Sequence, residues 1–220
     1  MTGRFDLVVF DCDGVLVDSE RLSVRLDKEF LGQLGWELTE AEIVERWVGR
    51  TEAAMKAEIA EHLGRDIDRE WSAFSERYIR AFAEELEPVD GAAEAVDAIQ
   101  AAGFATCVAS SGDLAKIRRN LAKTGLLERF DGRLFSADDV EHGKPAPDLF
   151  LHAAEVMGAT PERTAVVEDS AHGVAAGLAA AMTVFAYTGG VTPAERLTGP
   201  GVIAFGDMAL LPDLIADRRG

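Results

Sequence analysis

Four groups of polar residues stand where short apolar runs end, and together they point to one chemistry. Asp11 and Asp13 follow the run RFDLVVF (4–10), Ser110 and Ser111 stand at the end of FATCVAS (104–110), Lys144 lies in a loop ahead of a helix, and Glu168 and Asp169 end TAVVED (164–169). If those runs are strands of one open parallel sheet, their carboxyl ends meet along a single crevice, where such sheets bind ligands. Four carboxylates cannot all ionise there unaided, because at about 5 Å and an effective dielectric near 20 each pair repels by roughly 3 kcal/mol. A cation must sit among them. An all-oxygen set without His or Cys suits Mg2+, which keeps several waters and typically takes a couple of carboxylates together with a substrate phosphate. Lys144 and the Ser110 hydroxyl, with Ser111 beside it, would hold the remaining phosphate oxygens. Alternation along an extended chain turns Asp11 and Asp13 to one side and Cys12 to the other. One carboxylate can then attack phosphorus while its neighbour handles protons. Gly14 lets the chain turn sharply beside them. The substrate implied is a phosphate ester.

These groups need a scaffold, and the hydrophobic pattern supplies one. Residues 4–10 are β-branched and aromatic and too short for a helix, which predicts a buried strand. Downstream, helix-like and strand-like runs alternate: helix 92–102, strand 104–110, helix 114–124, helix 147–157, strand 164–169, helix 171–181 and strand 182–187. This alternation predicts an α/β fold, a doubly wound, Rossmann-like parallel sheet with helices on both faces. Gly173 and Gly177 are spaced to face one side of their helix and predict close packing on the sheet. Residues 15–88 break the beat: they hold amphipathic stretches at 22–34, 40–47, 52–63 and 71–86, all three tryptophans, and no strand pattern. The expected division is a catalytic core of residues 1–14 and 89–220 and an inserted helical cap domain of residues 15–88, hinged near Asp18 and Pro88.

Composition narrows the class. The chain has 220 residues with 48% hydrophobic, enough to bury a core that removes roughly 70% of the unfolded surface from water. Lys and Arg number 22 against 39 Asp and Glu, a net charge of −17, the wrong sign for binding nucleic acid. Its apolar stretches, 7–10 and 174–182, are far shorter than the roughly 18 residues of a membrane span. The start MTGRFD lacks the plan of a secretory signal. Cys12 and Cys107 lack zinc-binding spacing and read as buried free thiols in a reducing cytosol. The expectation is a cytoplasmic monomer or weak dimer acting on a small phosphorylated metabolite, with neither nucleic acid nor membrane as partner.

Taken in order, the motifs resemble those of the haloacid dehalogenase (HAD) superfamily, and in particular its β-phosphoglucomutase-like phosphatase branch with a helical cap after the first motif. They are Asp11-Cys12-Asp13-Gly14-Val15-Leu16-Val17-Asp18-Ser19, then Val108-Ala109-Ser110-Ser111-Gly112, then Gly143-Lys144-Pro145-Ala146-Pro147-Asp148, then Glu168-Asp169-Ser170 with Gly173. The resemblance implies that Asp11 is the nucleophile, forming an aspartyl-phosphate, and that Asp13 is the acid and base. It implies Mg2+ held by the Asp11 carboxylate, the Asp13 backbone carbonyl and Asp169, with Glu168 as a direct or water-mediated ligand. Ser110, Ser111 and Lys144 would bind the phosphoryl group, and Ser19, Trp47, Gly49 and Arg50 of the cap are candidates for touching substrate. The implied activity is a Mg2+-dependent phosphatase of a sugar or sugar-acid phosphate.

Departures from the family pattern narrow the activity further. True dehalogenases lack the second aspartate, so Asp13 favours phosphoryl transfer. The sugar mutase of this branch carries a His where this chain has Ser23, and basic cap-loop residues where it has Val48 and Glu52. The alternatives are a sugar phosphomutase, which a bisphosphate requirement would reveal, and a non-catalytic phosphometabolite-binding protein.

Overall fold

A computed structural model of the chain describes residues 5–48, 52–130 and 132–217. Arg4, the first residue of the predicted leading strand, lies outside that set. The described residues divide between two compact units, one within residues 1–18 and 87–220 and the other within residues 19–86. The sequence pattern placed the inserted segment at 15–88. Residues 15–18 stay with the first unit because their backbone is tied there: Leu16 and Val17 donate to the Cys12 carbonyl, the Leu16 carbonyl accepts from Val89, and Asp18 donates to Glu87.

The first unit is built on six parallel strands: β1 (Leu7–Phe10), β2 (Ala105–Ser110), β3 (Leu134–Ser136), β4 (Thr164–Glu168), β5 (Thr183–Tyr187) and β6 (Val202–Phe205). Their order across the sheet is β3-β2-β1-β4-β5-β6, the doubly wound arrangement. β1 is buried at every position, as a central strand covered on both faces must be. Its residues Leu7 and Val9 join Cys107, Ala109 and Val166 in a core under the helices α7 (Asp148–Val156) and α8 (Ala171–Ala179). On the opposite face Phe10 meets Phe130 edge-on, with ring centroids 6.0 Å apart. The remaining helices of this unit are α5 (Ala92–Ala101), which packs against β2 and α9 (Leu211–Ala216), and α6 (Leu114–Lys123), which packs against β3.

The predicted helices and strands of this unit appear with ends moved by a residue or two, apart from the leading strand, which begins at Leu7. β3, β6 and α9 were not anticipated. The reason is local: β3 has only three residues, β6 is an edge strand with one buried position, and α9 has six residues. None of them is long enough to show a period.

The second unit consists of α1 (Ser19–Gln33), α2 (Glu40–Trp47), α3 (Glu52–Leu63) and α4 (Asp68–Glu85). α2 starts on a capping box in which the Thr39 side chain accepts from Glu42 N and the Glu42 carboxylate accepts from Thr39 N. α1 packs against α2 and α4, with Phe30 stacked on Phe74 at 4.3 Å and Trp71 edge-on to Phe30 at 5.8 Å. Trp71 belongs to this core, whereas half-buried Trp36 lies flat on the His62 ring at 3.7 Å. Among the described residues, no helix is long and apolar enough to cross a membrane.

The close approach predicted for Gly177 is real, since a Cβ there would come 2.6 Å from the Val184 side chain and 3.6 Å from Val166. Gly177→Ala is therefore expected to overpack the α8–sheet contact and cost about 1–3 kcal/mol. In urea unfolding this reads as a lower midpoint with an unchanged slope.

Candidate active site

The site grows from the register of three strands. Phe10 of β1 lies opposite Val108 of β2 and Val167 of β4, so the residues just past those positions come level at the carboxyl ends. Asp11 follows β1 and donates its N–H to the Val167 carbonyl at 2.9 Å. Glu168 ends β4 and Asp169 is next. β1 and β4 are the neighbours between which the strand order reverses, which is where doubly wound sheets open a crevice.

Lys144 fills the centre of this arrangement. Its Nζ lies 2.6 Å from Asp11 Oδ1, 2.6 Å from Glu168 Oε1 and 3.0 Å from the Ala109 carbonyl oxygen, so all three ammonium hydrogens have an acceptor. The side chain is 3% exposed, and the ammonium stands over the Phe150 ring at 4.7 Å. Burial alone would lower the Lys144 pKa, but the Asp11 and Glu168 carboxylates hold it above its ordinary value, and the group stays charged. Burial likewise pushes the Asp11 carboxyl up to about 7, against the pull of the Lys144 ammonium. Glu168 spends its second oxygen on the turn into α8: Oε2 accepts from Asp169 N, Ser170 N and Ser170 Oγ, each at 3.0 Å. Gly173 makes room for that carboxylate, since a Cβ at 173 would sit 1.7 Å from Glu168 Oε1.

Asp13 is positioned differently from its expected placement. β1 stops at Phe10, so strand alternation does not extend to Asp13. Instead the chain folds back, with Gly14 N donating to the Val17 carbonyl at 2.8 Å and Asp13 bridging Val17. Gly14 takes φ +80°, a conformation that favours glycine, and a Cβ there would lie 2.0 Å from Asp169 Oδ2. From another side a Cβ on Gly190 would lie 3.4 Å from the same oxygen. Gly14 thus makes the space that the Asp169 carboxylate occupies, and Gly190 lines it. The Asp13 carboxylate meets Lys116, with Nζ to Oδ2 at 2.8 Å, while its Oδ1 is buried with no hydrogen-bond partner among the described residues.

Ser110, buried at the end of β2, accepts from Gly112 N at 3.1 Å; Ser111 is exposed. Asp11, Asp13, Ser110, Lys144, Glu168 and Asp169 therefore share one end of the sheet. The cap candidates lie in the helical unit. Ser19 is buried and its hydroxyl has no hydrogen-bond partner among the described residues. Trp47 is buried, donates Nε1 to Glu58 Oε2 at 3.2 Å and packs edge-on to Trp36. Gly49 and Arg50 lie outside the described residues. Lys116 and Gly190 were missed: Lys116 read only as one residue of an amphipathic helix, and Gly190 belongs to a loop without a motif. The clue to Lys116 was available, since it is one of five lysines and falls in the first turn of the helix after Ser110.

Asp11, Glu168 and Asp169 each offer a carboxylate oxygen, and these three atoms lie within 4.8 Å of one another, all buried. One lysine does not balance three carboxylates, and an oxygen-only donor set of this charge fits a hard divalent cation such as magnesium. Both Cys12 and Cys107 are buried free thiols whose pKa burial raises, Cys107 to about 12, and neither is a nucleophile.

A parallel sheet that gathers an aspartate pair, a serine, a buried lysine and an acidic pair at its carboxyl ends defines an α/β protein with a site suited to a hard cation and an anionic group. Residues 5–181 match the haloacid dehalogenase-like hydrolase family, and the chain belongs to it. It is 31% identical over 214 residues to the 6-phosphogluconate phosphatase of Escherichia coli, covering 96% of this chain and 95% of that one. A 94-residue stretch is 46% identical to the beta-phosphoglucomutase of Mycobacterium tuberculosis, covering 41% of this chain and 35% of that one. In structure it is similar to a HAD family hydrolase of Deinococcus radiodurans with bound phosphate and sodium, at TM-score 0.88 and 29% identity over 99% of this chain and 97% of that one.

The ion triad generates a stability prediction. Lys144→Met leaves two buried carboxylates without their cation, and in chelator-treated protein the cost is expected to be about 3–5 kcal/mol, the range for breaking a buried ion pair. Urea unfolding of both proteins in chelator measures it.

Proposed function

We propose that the chain is a Mg2+-dependent phosphatase that hydrolyses a small phosphorylated metabolite, a sugar or sugar-acid phosphate, through an aspartyl-phosphate on Asp11. The observation that carries this reading is the buried Lys144 ammonium between Asp11 and Glu168, with Asp169 alongside. It holds a carboxylate nucleophile in a fixed direction and puts positive charge where a phosphoryl group would arrive. The phosphatase name and near-complete coverage of the Escherichia coli relative support both the reaction and the substrate class. Buried free thiols and the absence of a spanning helix among the described residues are in keeping with work in the cytoplasm.

Asp11, Asp169 and the Asp13 backbone carbonyl would hold the magnesium, with Glu168 as a direct or water-mediated ligand. Bound there, the ion neutralises charge on the phosphoryl oxygens. In the first half-reaction an Asp11 oxygen attacks phosphorus, the bond from phosphorus to the ester oxygen breaks, and Asp13 gives that oxygen its proton. In the second, Asp13 takes a proton from water, the water oxygen attacks phosphorus, and the bond to Asp11 breaks to release inorganic phosphate. The Ser110 hydroxyl holds a phosphoryl oxygen and the Lys144 ammonium contributes its positive charge beside the group, and positioning plus charge stabilisation supplies most of the catalysis of such transfers.

A sugar phosphomutase is the second reading, favoured by the 46% identity over 94 residues to a beta-phosphoglucomutase. Against it, Ser23, where that branch carries a His, bonds to the Ser19 carbonyl at 2.8 Å and the Tyr78 hydroxyl at 2.6 Å and is committed to the packing of the helical unit. Turnover that requires a sugar bisphosphate would select the mutase.

The test is release of phosphate from a panel of monoesters, comprising hexose, pentose and sugar-acid phosphates and p-nitrophenyl phosphate. Release is expected with Mg2+, to fall to background in Asp11→Asn or with EDTA, and to return when Mg2+ is restored. Release that survives loss of either Asp11 or metal would overturn the reading. Gly14→Ala places a methyl group 2.0 Å from Asp169 Oδ2 and is expected to raise the Mg2+ concentration for half-maximal activity. A Mg2+ titration of the rate reads the shift.

A further inference from the structure

The sequence motifs leave out the cation that meets Asp13. Lys116 sits in the first turn of α6, where its own N–H donates to the Asp113 side chain at 2.7 Å and fixes the start of the helix. From there its stem runs back across Gly112: a Cβ at 112 would lie 3.2 Å from Lys116 Cδ and 3.6 Å from Ser110 Oγ. The ammonium ends 2.8 Å from Asp13 Oδ2. The other carboxylate oxygen, Oδ1, is buried and has no hydrogen-bond partner among the described residues. A carboxyl group free to turn about its Cβ–Cγ bond presents either oxygen. An ammonium on one oxygen, with the other buried, stops that exchange and fixes the orientation of the carboxyl group.

We propose that Lys116 is the positioning residue for proton transfer: through Oδ2 it holds in one orientation the Asp13 carboxyl group, which gives the proton to the leaving oxygen and takes one from the attacking water. This rests on the phosphatase reading with Asp13 as acid and base. Its consequence depends on the leaving group. A sugar alkoxide leaves only as it gains a proton, whereas p-nitrophenolate leaves as a stable anion and gains little from a placed acid. A lysine that served the phosphoryl group instead would matter equally for both esters, because the phosphoryl group is the same.

The experiment uses the full chain with Mg2+ and measures kcat and KM for 6-phosphogluconate and for p-nitrophenyl phosphate in the wild type, Lys116→Met and Lys116→Arg. For the sugar-acid ester, Lys116→Met is expected to lower kcat/KM by about 30- to 100-fold, almost entirely through kcat, the scale of a misplaced catalytic group. For p-nitrophenyl phosphate the loss is expected to be several-fold at most, and Lys116→Arg, which keeps a donor on Oδ2, should recover much of the loss for the sugar-acid ester. Equal losses for the two esters, a change in KM alone, or no change would each overturn the proposal. The half-exposed position of Lys116 on a helix surface makes folding of the variants the expectation. If Lys116→Met does not fold, Lys116→Gln, which shortens the stem and removes the charge but keeps a polar end, carries the same comparison. Failure of the wild type to release phosphate from any ester is a separate result, which overturns the phosphatase reading and this role together.

Discussion

The Lys144 ammonium lies where a lone charge could not stay. Taken out of water by burial, it is held by two carboxylates and a carbonyl, each within 3.0 Å. Asp11 depends on it in turn, because burial pushes its carboxyl towards the protonated form and the ammonium opposes that. The three side chains come from the ends of β1 and β4 and from the loop before α7, so their mutual satisfaction fixes the loop to the sheet. It also fixes the direction of Asp11. In the proposed reaction, a nucleophile that must meet phosphorus along one line gains its rate from such prior placement, and the interaction that orders the loop would also aim the oxygen.

Around that centre the fold works mainly by leaving room. At Gly14 and Gly173 a Cβ would overlap a site carboxylate, and at Gly190 it would press on one. The Asp169 and Glu168 side chains occupy the volumes that ordinary residues there would have filled. The sheet supplies the other half of the constraint. Because β1 is paired on both sides in parallel register, Asp11 cannot shift along the strand without breaking two ladders. Glu168 is anchored in turn by three donors at the N-terminus of α8, where the unpaired N–H groups favour negative charge.

Much of this was legible in the sequence, and the misses have physical causes. The alternating runs revealed the central strands because strands buried on both faces are continuous apolar stretches, and helices ending at glycine are easily bounded. β3, β6 and α9 escaped since short edge elements carry no period. Asp11, Glu168 and Asp169 were visible because charged residues beside apolar strand ends are conspicuous, and Lys144 because it stands in a Gly-Lys-Pro loop in motif order. Lys116 was not, because a lysine on an amphipathic helix looks like any solvated residue until the fold brings its stem back over Gly112. The reasoning for Asp13 also needed correction: its position comes from a glycine-dependent turn, not from the alternation of a strand. Trp47 shows the opposite limit. Its place beside the cap loop suggested substrate contact, and the structure spends its ring on packing and its Nε1 on Glu58.

The family and its hydrolase fold follow from the match over residues 5–181 and from the near-complete coverage of a phosphatase relative. Under the proposed mechanism, chemistry passes through one covalent bond between Asp11 and phosphorus. The most direct measurement traps it: the enzyme is quenched in acid during turnover of a phosphate monoester with Mg2+, treated with borohydride and mapped by mass spectrometry. An acyl phosphate is reduced to the alcohol, so the account predicts homoserine at position 11 and nowhere else. Rapid turnover with Asp11 unmodified, or reduction at another carboxylate, would contradict it.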